Sequence, residues 1–220
     1  MSDPGFDWNA EPKMLGLLQL RQDPQYLRIP ADRHGALVEA ALNDGHSLAD
    51  RVRDRRGDVP AIVAARCGVP VVHSEENAGF GSIVVYADYA SRPPSITLYL
   101  RAIRSLDRLL AGHSAQAREI GSTVPIFLAH ELYHHFDCLR GGERLARQHA
   151  VKIFGIGAWH WTSGLSSLCE IAAGAFAQRL LGLSFHPKLL DFLSVKTLKH
   201  GGHGEHGEYG EYGEYGESNS

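Results

Sequence analysis

Two histidines and a glutamate stand close together near the middle of the chain, in His130-Glu131-Leu132-Tyr133-His134. Four residues make just over one helical turn, so on a helix the two imidazoles share a face and can bind one metal ion. Glu131 projects beside them and can take a proton from a metal-activated water. Ser122 or Thr123 can cap this helix, and Pro125 suits its first turn. Ile126, Phe127 and Leu128 set the cluster in an apolar helix. Burying such groups there costs on the order of several kcal/mol unless they are paired or metal-bound. That penalty favours a metal site over a surface helix with incidental histidines.

A catalytic zinc takes three protein ligands and keeps one position open. One arrangement places a third histidine six residues after the second, with a glycine at three. Those positions hold Arg140 and Asp137, which excludes it. The other takes a glutamate from a later helix, and Glu170 is the only acidic residue between Ser163 and Leu183. Its neighbours Ala172, Ala173, Gly174 and Ala175 allow the close helix approach that metal bonds of about 2 Å require. Glu170 could instead be a lone acid supporting the first turns of its own helix, and His149, His160 and Glu143 stand as alternative ligands. For a group that would receive a developing oxyanion, the sequence offers Tyr133 and His160 without choosing. His135 points off the metal face and reads as structural. Cys138 and Cys169 lie near the site, yet with Cys67 they make an odd number without a Cys-x-x-Cys pair. Buried, inert thiols are the expectation.

The elements that must position these groups follow from periodicity. Helical patterns cover Gly35 to Leu42, Ser47 to Arg55 and Val59 to Arg66, the last ending at Gly68. Short β-branched or aromatic runs follow at Val69 to His73, Ser82 to Tyr86 and Ser95 to Leu100, separated by turn-rich Glu75 to Gly81 and Asp88 to Pro94. Ser95 to Leu100 is expected to be an edge strand able to bind substrate by strand addition. Helix returns at Ala102 to Leu110, Val124 to Leu139, Leu165 to Leu181 and Lys188 to Leu198. The order predicts an α+β fold, with a small, mostly antiparallel sheet against the helix of His130 and helices at both ends.

The 220 residues suit one metal-binding domain over 31–199. Residues 1–30 read as a loosely attached arm, and the Gly/Glu/His/Tyr-rich segment 200–220 as a disordered tail. His200, His203 and His206 of that tail are read as solubilising, or as loose metal binders. The net charge of −3 comes from the five glutamates of the tail, which leaves the rest only slightly basic. Nucleic-acid binding is not expected on that balance; the arginines between Ser47 and Arg66 are the one feature for it. No apolar run is long enough to span a bilayer. With no secretory signal in the first residues either, a cytoplasmic protein is the expectation.

From about Asp58 to Leu183 the chain resembles the ImmA/IrrE family of bacterial and phage metallopeptidases. The likeness is carried by Pro60 to Val72, by the strand Ser95 to Leu100, by the His130–His134 motif, and by Glu170 to Ala177 followed by Leu180-Leu181. The resemblance implies a zincin-like fold with one Zn2+ on His130, His134 and Glu170, Glu131 as general base, and a protein substrate such as a transcriptional repressor. The family usually has Glu at the place of Ala172 and Asn or Asp at that of Gly174. The missing polar group at 174 is expected to remove a partner of a ligand histidine. The stretch between His134 and Glu170 is long for the family, implying an insertion around Gly141 to Thr162. A metal-stabilised regulatory protein without efficient catalysis is the second reading.

Overall fold

The computed structural model describes residues 7–80, 83–113, 120–156 and 159–193. Apolar side chains at helical spacing decide where its core lies. Helix α1 (Pro12–Leu20) buries Leu15 and Leu20, and α2 (His34–Arg56) buries Leu37, Val38, Ala41, Leu48, Ala49 and Val52, a continuous apolar stripe on each. α3 (Pro60–Cys67) stops at Gly68, whose φ of +67° is the left-handed turn expected there. Five strands follow: β1 (Val71–Ser74), β2 (Ala78–Phe80), β3 (Ile83–Val85), β4 (Ala87–Ser91) and β5 (Pro94–Tyr99). Then come α4 (Leu100–His113), α5 (Val124–Leu139), the short α6 (Leu145–Gln148), β6 (Val151–Ile156), β7 (Trp159–Ser163) and α7 (Ser166–Leu181). Residues 188–193 are helical. The fold is α+β. Among the described residues no helix is long and apolar enough to cross a membrane.

The main sheet has the order β1-β5-β4. β5 runs parallel to β1 (Val71 opposite Ile96) and antiparallel to β4 (Ala87 opposite Leu98). β5 is therefore the central strand, with Ile96 and Leu98 fully buried. Both of its edges are already paired, so the expectation of a substrate-binding edge at Ser95 to Leu100 is corrected: the outer strands are β1 and β4. β4 lies in the segment Asp88 to Pro94 that reads as turn. Its pairing comes from β5 and from Tyr99, whose hydroxyl donates to Asp88 Oδ1 at 2.6 Å. β2–β3 and β6–β7 are separate antiparallel hairpins. The second fills the segment implied as an insertion.

Residues 31–56 also differ from expectation. Two short helices with a break near Gly45 are one continuous helix, because that glycine is the point of closest approach to α7. A Cβ on Gly45 would lie 2.2 Å from the Ala172 carbonyl oxygen and 2.9 Å from the Phe176 nitrogen. Glycine inside a helix costs about 0.5–1 kcal/mol against alanine, and here it lets two backbones touch. Ala172 is fully buried in this seam.

The arm is not loosely attached where it is described. Asp23 Oδ2 accepts from both the backbone N–H and the hydroxyl of Ser167, at 3.0 and 2.8 Å, so residue 23 supplies the cap for the start of α7. Trp8 packs edge-on against Phe185 at 5.2 Å, and Gly16 sits against Val38. These contacts join sequence ends no local pattern connects. The expected tail, 200–220, and the end of the last helix beyond residue 193 lie outside the described residues.

Candidate metal centre

α5 carries His130, Glu131 and His134, and it is held in place from several directions. Pro125 lies in its first turn. Thr123 is the boundary residue, but its hydroxyl donates to Asp107 Oδ1 at 2.7 Å rather than capping its own helix. Ser122 Oγ accepts the Val124 N–H at 3.3 Å. On the far side Tyr133 is completely buried and donates to Asp44 Oδ2 at 2.8 Å, while Arg140 Nη1 lies 2.9 Å from both Asp44 oxygens. These bonds pin α5 to α2. They also commit the Tyr133 hydroxyl to Asp44, while the Tyr133 ring meets that of His134 edge-on with centroids 5.9 Å apart. His135 is buried and within 3.1 Å of the Tyr89 hydroxyl, a structural contact.

α7 delivers Glu170 against this face. His130 Nε2 lies 3.2 Å from Glu170 Oε2 and 3.2 Å from His134 Nε2, and His134 Nε2 lies 3.3 Å from Glu170 Oε1. A tetrahedral ion with bonds of about 2.0–2.1 Å requires donor atoms about 3.3–3.4 Å apart. The two imidazole nitrogens stand near that spacing, each faces a different oxygen of Glu170, and two nitrogens with a carboxylate are a donor set that zinc accepts. The ligand atoms of these three residues all lie within 4.8 Å of one another, so the cluster can hold a metal ion. Of the alternative ligands, Glu143 is exposed on a 3-10 turn and His149 is half-buried, and neither joins the cluster. The side chain of His160 lies outside the described residues.

The two carboxylates differ in electrostatics. Burial would raise Glu170, but the hydrogen bond from His130 and the charges of His130, His134 and Lys188 prevail and hold it down to about 2. Burial lifts Glu131 to about 7, and Glu170 adds to that, against a lowering by His130. A carboxylate that stays charged suits metal ligation, and one poised near neutrality can exchange protons at physiological pH. Cys169 sits beside Asp137, 3.6 Å away, and burial pushes its thiol up to about 12, so it stays protonated.

A cavity of about 250 Å³ opens at the triad, lined by His130, Glu131, Glu170, His186, Lys188 and Asp191 and by the corner from Val84 to Ala87. Sequence reasoning missed His186, Lys188 and Asp191, because a single histidine before a proline carries no spacing signal. Lys188 Nζ pairs with Asp191 Oδ2 at 2.8 Å beside the triad. His186 also explains Gly174. A Cβ at 174 would lie 2.7 Å from the His186 ring, so the space over this glycine is filled by an imidazole from another element.

His186 is only 2% exposed, and burial lowers it to about 4, with His130, His46 and Lys188 adding to the shift. Its folded value is depressed below the unfolded one, so the unfolded chain takes up the proton first. Stability is thus full above about pH 6.5 and falls as pH drops toward about 4, by about 3 kcal/mol from this residue. Urea unfolding of metal-free protein at about pH 7 and about pH 4.5 is expected to show a smaller pH effect in His186→Phe than in wild type. Equal pH effects in the two would place the destabilising proton elsewhere.

No protein-family model matches the chain, and no curated protein or solved structure matches it.

Proposed function

We propose that the chain is a zincin-like, zinc-dependent peptidase, acting on a protein or peptide substrate through one Zn2+ held by His130, His134 and Glu170. The observation that carries this reading is the cluster of His130, His134 and Glu170 at metal-ligand spacing, with Glu131 lining the cavity that His130 and Glu170 also line. Bound zinc supplies a water acidified toward neutrality and a positive charge for a polarised carbonyl. Glu131 takes the proton of the attacking water as the oxygen joins the carbonyl carbon. It then delivers that proton to the amine nitrogen as the C–N bond breaks. β4 is the outer strand beside the cavity, and Ala87 at its start lines it. A substrate in extended conformation can add to that edge. The resemblance to the ImmA/IrrE family supports a repressor-like protein as the substrate.

Metal content tests the site directly. Full-length wild type is expected to retain one zinc per chain after exhaustive dialysis, and His130→Ala and Glu170→Ala are expected to lose it. Removing one of three ligands leaves two, and affinity is expected to fall by at least the roughly 10–100-fold seen when an outer-shell partner is removed. Zinc retained by both variants would move the site elsewhere, the tail histidines included.

A further inference from the structure

His186 holds a hydrogen-bond donor for which the described residues provide no acceptor. The backbone N–H of Lys188 points at its Nδ1 at 3.2 Å. Nδ1 must then accept, so the neutral ring carries its proton on Nε2. That Nε2 is buried and has no hydrogen-bond partner among the described residues. Leaving such a group unpaired is destabilising, an arrangement that persists where a ligand completes it. The ring is pressed into the space over Gly174, one helical turn beyond Glu170, and lines the cavity of His130, Glu131 and Glu170.

We propose that His186 is a further catalytic residue, whose Nε2–H receives the carbonyl oxygen of the substrate as negative charge develops on it. This assignment rests on the peptidase reading. It gives the site the preorganised oxyanion donor that Tyr133, turned to Asp44, does not supply. Gly174 is the residue that permits it, since any side chain there displaces the ring.

The test uses zinc-loaded, full-length wild type, His186→Phe, His186→Gln and Gly174→Ala. Zinc content is measured first, followed by binding of methylphosphonate, a small tetrahedral oxyanion, by phosphorus NMR, and then by cleavage of unfolded casein. All four proteins are expected to hold one zinc. Methylphosphonate affinity is expected to fall about tenfold in His186→Phe and Gly174→Ala, and kcat about 10²–10³-fold with KM little changed. His186→Gln, whose amide can donate, is expected to recover part of both. Phosphonate affinity and kcat within twofold of wild type in His186→Phe would overturn the proposal. Zinc absent from wild type overturns the metal site and this assignment together, and is seen before any phosphonate is added. If zinc and phosphonate bind but casein is not cleaved, the peptidase reading fails, while the phosphonate series still decides whether His186 donates.

Discussion

Glu131→Gln is expected to keep its zinc and lose about 10²–10⁴-fold in peptide cleavage, the usual contribution of a positioned general base. Glutamine preserves size and hydrogen bonding but cannot hold the proton of the attacking water. The residue is not among the three donors that face one another, so metal content is expected to match wild type. The wild-type pH profile carries the same signature. A base must be deprotonated to act, and burial lifts Glu131 to about 7. A bound zinc ion favours the charged carboxylate, so cleavage is expected to rise with pH along a limb below neutrality and to lose that limb in the variant. Casein and candidate repressor proteins are suitable substrates. Turnover within tenfold of wild type would remove Glu131 from the mechanism. Zinc-bound wild type that cleaves neither substrate would support the second reading, a metal-stabilised regulatory protein.

The largest expected effect on stability at neutral pH comes from a residue with no chemistry. Gly45→Ala puts a methyl group 2.2 Å from the Ala172 carbonyl oxygen. The obstructing atoms are backbone, so no side chain can swing aside, and α2 must part from α7. Overpacking of this kind costs about 1–3 kcal/mol, set against about 0.5–1 kcal/mol of helix propensity gained. The upper end applies here because the contact is the tightest in the seam. A net loss of about 2 kcal/mol lowers Tm by about 4–8 °C for a domain of this size. Gly35→Ala, on the same helix, meets only the end of Lys13 at 3.8 Å and is the control expected to leave Tm unchanged or raised. Zinc affinity is expected to fall in Gly45→Ala as well, because α7 carries Glu170. A Tm unchanged in Gly45→Ala would mean that the two helices cross less closely than described.

The comparison of expectation with structure turns on range. Local spacing placed α5 within the bounds of the apolar run Val124 to Leu139, and the same periodicity ended α3 at Gly68. The pattern misled wherever a local signal had a distant cause. The helical patterns stop at Leu42 and resume at Ser47, yet the helix runs through Gly45 with α7 lying against it. Asp88 to Pro94 reads as turn because its residues favour turns, yet β5 pairs with it. Residues 7–30 read as an arm because their apolar patch is short, yet Asp23 caps α7 across the molecule.

The candidate site divides along the same line. The sequence alone determined which helix carries the histidines and Glu131, and it proposed Glu170 from one acid in a small-residue stretch. Those inferences need only the repeat of a helix, which is encoded within four or five residues. The tertiary structure alone decided that Glu170 reaches both histidines, that Tyr133 turns to Asp44, that β5 is an inner strand, and that His186 fills the space over Gly174. Each of these depends on contacts between residues far apart in the chain, where no periodicity links the partners and only the packed backbone sets the distance.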